Sequence, residues 1–206
     1  MCLIDEVSVA KYGGRDGAGN RLNDLWILTT TDLTQAKWKK VKPDSSNRPK
    51  PRVNPSIAHL DGKIYVFGKT NKSRDEVDSF SMVTHKWTRE VTCGEEPTEQ
   101  DCQVHSLDKA MKLVTVSNTE SSSCGMFNRL DILDVQTKPM TWAKVDLSWY
   151  CDWMMIPGIR RLFCSAMDAE RGLLYVFGGV QASVHSIEGE EGAQDLLSTL
   201  IVAYFS

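Results

Sequence analysis

Four histidines, six cysteines and an uneven scatter of charge are the parts of this 206-residue chain that could do chemistry. The histidines, His59, His85, His105 and His185, are isolated from one another in sequence. No pair of cysteines has C-x-x-C spacing, and Cys2, Cys93, Cys102, Cys124, Cys151 and Cys164 are too few for a disulfide-framework scaffold. There is no G-x-S-x-G, P-loop, H-E-x-x-H or EF-hand pattern, so no nucleophile, phosphate cradle or metal site announces itself. What remains is charge and aromatic surface. Residues 37–52 hold seven Lys or Arg against one acid, whereas Glu95, Glu96, Glu99 and Asp101 stand without a base in 93–101. Glu188, Glu190, Glu191 and Asp195 form a second acidic run. Trp149 and Trp153 lie with Tyr150, Met154 and Met155 in one short stretch, residue types enriched in interface cores.

Composition narrows the class further. A chain 41% hydrophobic and 25% charged, with net charge −3, is ordinary globular material with enough length for one sizeable core. Its weak acidity argues against general nucleic-acid binding, which favours a basic domain. The longest apolar run, Leu200 to Phe205, is far short of the roughly 20 residues of a membrane helix. The first fourteen residues lack the basic n-region and apolar core of a signal peptide, which sets the expectation of a cytoplasmic or nuclear protein with free thiols. For Cys93 and Cys102, which flank the first acidic run, a close approach stays open. Cys164 reads as a small buried hydrophobe. Asn71-Lys72-Ser73 fits the glycosylation pattern, which a cytosolic chain does not use.

The elements that would position these residues recur. Trp38, Trp87 and Trp142 each open a short alternating stretch, at spacings of 49 and 55 residues. Before them come β-type runs that stop at small residues: Val7 to Gly14, Ile64 to Gly68, Leu113 to Asn118 and Leu174 to Gly179. A shorter run precedes most of these, as in Ser56-Ile57-Ala58-His59-Leu60 and Val104-His105-Ser106-Leu107. Asp61-Gly62 joins the first of these to its follower, a two-residue hairpin signal because both turn residues need positive φ. Another run leads into each Trp, beginning at Asp24, Val77 and Leu130. The unit is therefore four short strands in about 50 residues, and such sheets must stack face to face, radially in a propeller.

This pattern resembles the kelch repeat, a hydrophobic strand ending in Gly-Gly, then an aromatic, then a Trp. Gly13-Gly14, Trp26 and Trp38 carry it in the first unit; Gly68, Phe80 and Trp87 carry it in the second; Gly178-Gly179 closes the strand in the fourth. Gly68-Lys69 and Ser117-Asn118 depart from the doublet. The resemblance implies an all-β, kelch-type β-propeller of four-stranded antiparallel blades, in units of about 7–41, 52–91, 103–146 and 163–206. The first unit lacks its innermost strand and the last its closing Trp strand, about three and a half blades in all. Kelch propellers are closed rings of six or seven blades. The expectation is therefore a partial or open ring: a fragment, a truncated gene model, or a chain completed by a partner or missing sequence. A closed four-blade ring is the alternative. The tail from Gly192 to Ser206 fits a strand better than a helical face.

In that frame Trp38, Trp87 and Trp142 are core, stacking blade on blade, and His59 and His105 belong to the structural repeat near the central channel, satisfying backbone groups. Trp149 and Trp153 either anchor an interface or plug the bottom of the ring. Strand parity puts the loops after each second strand and those between blades on one side, and these are the long, polar ones. The expected partner site is thus the face carrying Arg15, Arg48, Arg52 and Arg74, with Trp149 and Trp153, suited to a protein or acidic peptide. The leading reading is a noncatalytic protein-interaction module needing no cofactor or metal: a scaffold or a substrate-recognition subunit, as in cullin-type ubiquitin ligases. The alternative is a propeller-borne enzyme similar to galactose oxidase, which would gather His and Tyr copper ligands at the axis with a Cys beside one Tyr.

Overall fold

The computed structural model describes residues 1–31, 35–44, 47–52, 54–68, 76–97, 102–117, 129–145, 160–181, 195–196 and 200–204. They form four sheets in succession along the chain. The first is β1 (Cys2–Asp5), β2 (Ser8–Arg15), β3 (Arg21–Thr29) and β4 (Lys37–Lys40), paired in that order. The second repeats it with β5 (Ser56–Leu60), β6 (Lys63–Phe67), β7 (Asp78–Ser81) and β8 (Trp87–Arg89). The third adds β9 (Thr92–Gly94) in parallel to the outer edge of an antiparallel set of β10 (Cys102–Leu107), β11 (Lys112–Ser117), β12 (Arg129–Asp134) and β13 (Met140–Lys144). In the fourth, β15 (Leu173–Gln181) pairs with β14 (Arg160–Asp168) on one edge. On its other edge it pairs with β16 (Asp195–Leu196) and β17 (Leu200–Tyr204). The lone helical piece among the described residues is a single 3-10 turn at Asp108–Ala110.

The Asp61-Gly62 turn has φ of 49° and 66°, the two positive values that a two-residue hairpin requires. It sets Leu60 opposite Lys63 and so fixes the register of the second sheet. One expectation about the units changes and one holds. The first sheet does have an innermost strand: Cys2 and Leu3 pair with Ala10 and Val9 across a tight turn at Glu6–Val7. The third strand of the last sheet, expected from Leu200 onward, is there from Leu200 to Tyr204. It shares its edge of β15 with the separate short strand β16.

The innermost strands follow one another, β1 beside β5, β5 beside β10 and β10 beside β14. This is the arrangement of propeller blades around an axis. Because side chains alternate across a strand, each blade offers one face backward and one forward. In β6, Ile64 and Val66 pack back onto Ala10, Tyr12 and Leu25 of the first blade. Tyr65 and Phe67 pack forward onto Leu113, Leu133 and Trp142 of the third. Val114, Val116 and Leu130 then meet Leu174 and Val176 of the fourth.

The repeated Trp closes these contacts. Trp87 meets Tyr12 edge-on, ring centres 5.4 Å apart at 64°, and Trp142 meets Phe67 at 6.0 Å and 69°. Each Trp therefore reaches back to the aromatic that precedes the glycine of the previous blade. Such pairs contribute about 0.5–1.5 kcal/mol beyond the area they bury. Trp87 and Trp142 are core, as the repeat implies, but Trp38 is not. It is 46% exposed, because among the described residues no blade stands behind β4 to receive it. Cys164, expected to be buried, is likewise exposed, on the forward face of the last blade.

Candidate partner-binding face

Two of the loops that parity assigns to one side, 15–23 and 42–52, are joined by hydrogen bonds. The segment before the second blade runs up against the first. Arg52 N–H donates to the Leu22 carbonyl at 3.1 Å, and Gly14 N–H donates to the Arg52 carbonyl at 3.0 Å. The Pro49 carbonyl accepts from Tyr12 Oη at 3.3 Å and from Asn23 Nδ2 at 3.2 Å. The glycine doublet makes this approach feasible. Gly13 has φ +61°, and a Cβ there would lie 2.8 Å from the Arg52 carbonyl oxygen, too close for any side chain. Loops 15–23 and 42–52 are thus held together on rigid strands. The first is also braced from within: Asp16 Oδ1 accepts from the N–H groups of Ala18 and Asn20 at 2.9 and 2.8 Å. Those bonds, with the Asn20 side chain first, hold the Asp16 carboxyl below its usual range.

The basic segment 37–52 divides into charges that are engaged and charges that face outward. Arg52 is 1% exposed. Its guanidinium donates to the Gly68 carbonyl at 2.6 Å, to the Glu76 carbonyl at 3.0 Å and to Asp78 Oδ2 at 2.6 Å. The reading that grouped Arg52 with an exposed basic cluster is therefore corrected. It is a tie between two blades, buried because Asp78, on the first position of β7, supplies the countercharge. Lys50 pairs with Glu76 at 3.1 Å, and Lys40 pairs with Asp24 at 3.0 Å while standing 5.5 Å over the Trp26 ring. Arg15 and Arg48 are exposed, and Arg15 donates one hydrogen bond to the Gly19 carbonyl at 3.0 Å. Arg74, Trp149 and Trp153 lie outside the described residues.

The third blade repeats the buried pair. Asp131, aligned with Asp78 by register, is fully buried and accepts from Arg129 Nε at 2.7 Å. Burial raises the Asp131 carboxyl, and the Arg129 charge partly offsets this. Arg129 also donates to the carbonyls of Glu95 and Glu96, at 3.0 and 3.2 Å, which fastens the first acidic loop. Gly94, which ends β9 just before that loop, is obligatory: a Cβ would stand 2.3 Å from the Trp142 carbonyl oxygen. Sequence reasoning did not single out Asp78, Arg129 or Asp131. The signal was an Asp in the third strand of the first three units, at Asp24, Asp78 and Asp131.

A family model described as the KLHDC2/KLHL20/DRC7 Kelch-repeats domain matches residues 1–179. This chain belongs to the kelch-repeat family. It is also similar to Host cell factor of Drosophila melanogaster, 24% identical over 201 residues, a match covering 86% of this chain. The chain spans 12% of the length of that relative. Kelch domains of these families are typically noncatalytic and mediate protein–protein interaction, which fits a site made of loops rather than of convergent reactive groups.

The inner strands of this kelch domain carry polar contacts between blades. Ser165 Oγ donates to Gln103 Oε1 at 2.6 Å, and Gln103 Oε1 also accepts Ser165 N–H at 2.8 Å. The single hydroxyl proton is thereby used, so the 2.7 Å contact to His105 Nε2 is a donation from the ring to Ser165 Oγ. Burial pushes His105 down to about 4, a neutral imidazole at physiological pH. His105 is thus part of the structural repeat, bound to a side chain of the next blade rather than to backbone. Tyr12 and Tyr65 are buried in the cores between blades. Among the described residues no group of three or more His, Cys, Asp or Glu is placed to hold a metal, and no helix is long and apolar enough to cross a membrane.

Proposed function

We propose that this kelch domain is a noncatalytic recognition module that takes an acidic peptide or protein segment on its long-loop face. The observation that carries the reading is the division of the basic segment. Arg52 and Lys50 are engaged by Asp78 and Glu76, and this anchors against the first blade the segment that carries the exposed Arg48, while the exposed Arg15 follows Gly14, which is bonded to that segment. Exposed guanidinium groups carried by anchored segments favour bidentate pairing with carboxylates. By strand parity in the sequence, Arg74, Trp149 and Trp153 belong to loops of the same side, and we assign the tryptophans the role of apolar anchors. In this role the chain serves as a scaffold or as a substrate-recognition subunit, including of the cullin-type ubiquitin ligases. Its open first and last blade faces are covered by another chain or by further blades.

Selection of a displayed peptide library against the immobilised chain tests the face directly. Enrichment of Asp- and Glu-rich peptides is expected, with loss of enrichment on the Arg15→Glu/Arg48→Glu variant. Peptides without acidic bias, or equal enrichment on that variant, contradict the reading.

A further inference from the structure

The basic segment 37–52 carries more charge than the long-loop face uses. Val41 prolongs β4 by donating its N–H to the Leu25 carbonyl at 2.8 Å, and it packs against the core between the first and second blades. Side chains alternate along a strand, so Lys37 and Lys39 share that face and point toward the second blade, while Trp38 and Lys40 point the other way. Lys40 is engaged there, by Asp24 at 3.0 Å and by the Trp26 ring. Beyond Val41 the chain crosses onto the second blade, where Asp44 N–H donates to the His85 carbonyl at 2.8 Å. This brings Lys42 up to the turn before β8, on which Lys86 is exposed. Strands β4 and β8 are the outermost of their sheets, so Lys37, Lys39, Lys42 and Lys86 follow one another along the outer rim of two adjoining blades.

These four lysines are exposed, and among the described residues no carboxylate pairs with any of them. Elsewhere the molecule pairs its lysines: Lys50 with Glu76, and Lys63 and Lys138 with Glu90. Asp44 is the one acid in residues 37–44 outside the stretch 32–34. Like charges in a row without counter-charge form a local positive field despite the net charge of −3. Lysine is a flexible point charge that pairs with a carboxylate without a fixed geometry. Lys37 and Lys39, two residues apart on a strand, stand about 7 Å apart, which is also the spacing of alternate side chains on any other extended chain. A polypeptide with acids at every second position therefore presents its charges in step with them. A nucleic-acid strand would also need aromatic platforms for its bases, and the side chains that share this face of the first blade beside the lysines are Ile27 and Val41.

We propose that this rim is a second docking surface, taken by an extended acidic segment of a partner protein. It is separate from Arg15 and Arg48, and it lies between two blades of this same chain.

Fluorescence anisotropy of a labelled peptide of six Glu-Ser repeats, at low ionic strength, tests this on protein in which Arg15→Ala/Arg48→Ala silences the long-loop face. That protein binds the peptide, and added salt weakens the binding. Lys37→Glu/Lys39→Glu on the same background weakens it about tenfold or more, since like charges then face each other. Lys109→Glu/Lys144→Glu, an equal change of net charge at exposed positions of the third blade, leaves binding within about twofold. All the replaced side chains are exposed, and circular dichroism verifies that each variant is folded. The proposal is overturned if the background protein does not bind the peptide, if the Lys37/Lys39 reversal has no effect, or if the two reversals weaken binding equally. Tighter binding of a labelled single-stranded oligonucleotide of the same charge also overturns it, and makes the rim a nucleic-acid surface. None of these results bears on the long-loop reading, because Arg15 and Arg48 are absent from every arm.

Discussion

Arg48 and Arg52 occupy the same proline-spaced stretch, Arg48-Pro49-Lys50-Pro51-Arg52, and nothing local distinguishes them. The difference is made by Asp78, far along the chain, whose carboxylate draws Arg52 inward. Arg52→Met should destabilise the fold by about 2–3 kcal/mol, because it removes one of the two guanidinium partners of the buried Asp78 carboxylate, leaving the half-exposed Arg89, and strips the Gly68 and Glu76 carbonyls of a donor. Arg48→Met should change stability by less than about 0.5 kcal/mol, as surface changes do. Urea unfolding of both variants measures the contrast, and equal effects would refute the assignment of Arg52 as an interblade tie. His105 gives a pH prediction at the same scale. Its folded value of about 4 lies below the unfolded 6.5, so between these the unfolded chain binds a proton that the folded chain does not. Stability is therefore full above pH 6.5 and falls as pH drops toward 4, by about 3 kcal/mol from this group. The slope over that window should be shallower in His105→Gln, and an unchanged slope would show that the imidazole is not neutral in the fold. The pairing of His105 with Ser165 was not legible beforehand, since it joins strands 60 residues apart.

At the scale of the element, identical motifs end in different surroundings. Trp38, Trp87 and Trp142 head the same strand of three successive units, and sequence treats them alike. Trp87→Ala should cost about 3–5 kcal/mol, the loss of a buried aromatic. Trp38→Ala in the isolated monomer should cost less than about 1 kcal/mol, since its ring is half in solvent. Thermal or urea melts of dilute protein separate the two, and similar losses would mean that Trp38 is packed. The strands themselves were readable where a local rule dictates them. Asp61-Gly62 specifies its own turn, and the Val, Ile, Tyr and Phe runs specify the second strands. The strand Cys2–Asp5 escaped because four residues with alternating exposure carry little pattern. The separate β16 escaped for the same reason, being two residues long and defined by its pairing with β15.

For the whole molecule, stacking follows from the repeat. Each blade buries apolar residues on both faces only by having neighbours, and among the described residues none stands behind the first blade or in front of the fourth. Of the long loops that strand parity puts on one side, 15–23 and 42–52 meet at the Leu22–Arg52 bridge. Which arginines face outward on it was not legible, because ion pairs between distant residues decide that. The central claim is that Arg15 and Arg48 on this face attract an acidic partner. The direct test is stopped-flow association of an Asp/Glu-rich peptide chosen by the library selection, with the wild type and with Arg15→Glu/Arg48→Glu, over a range of ionic strength. Exposed charges are screened beyond about 8 Å at physiological salt, and rim charges act mainly on association. The reversal should slow association several-fold at low salt, leave dissociation nearly unchanged, and lose its effect as salt rises. Equal association rates for the two proteins at low salt would contradict the account and leave the basic loops as solvated surface.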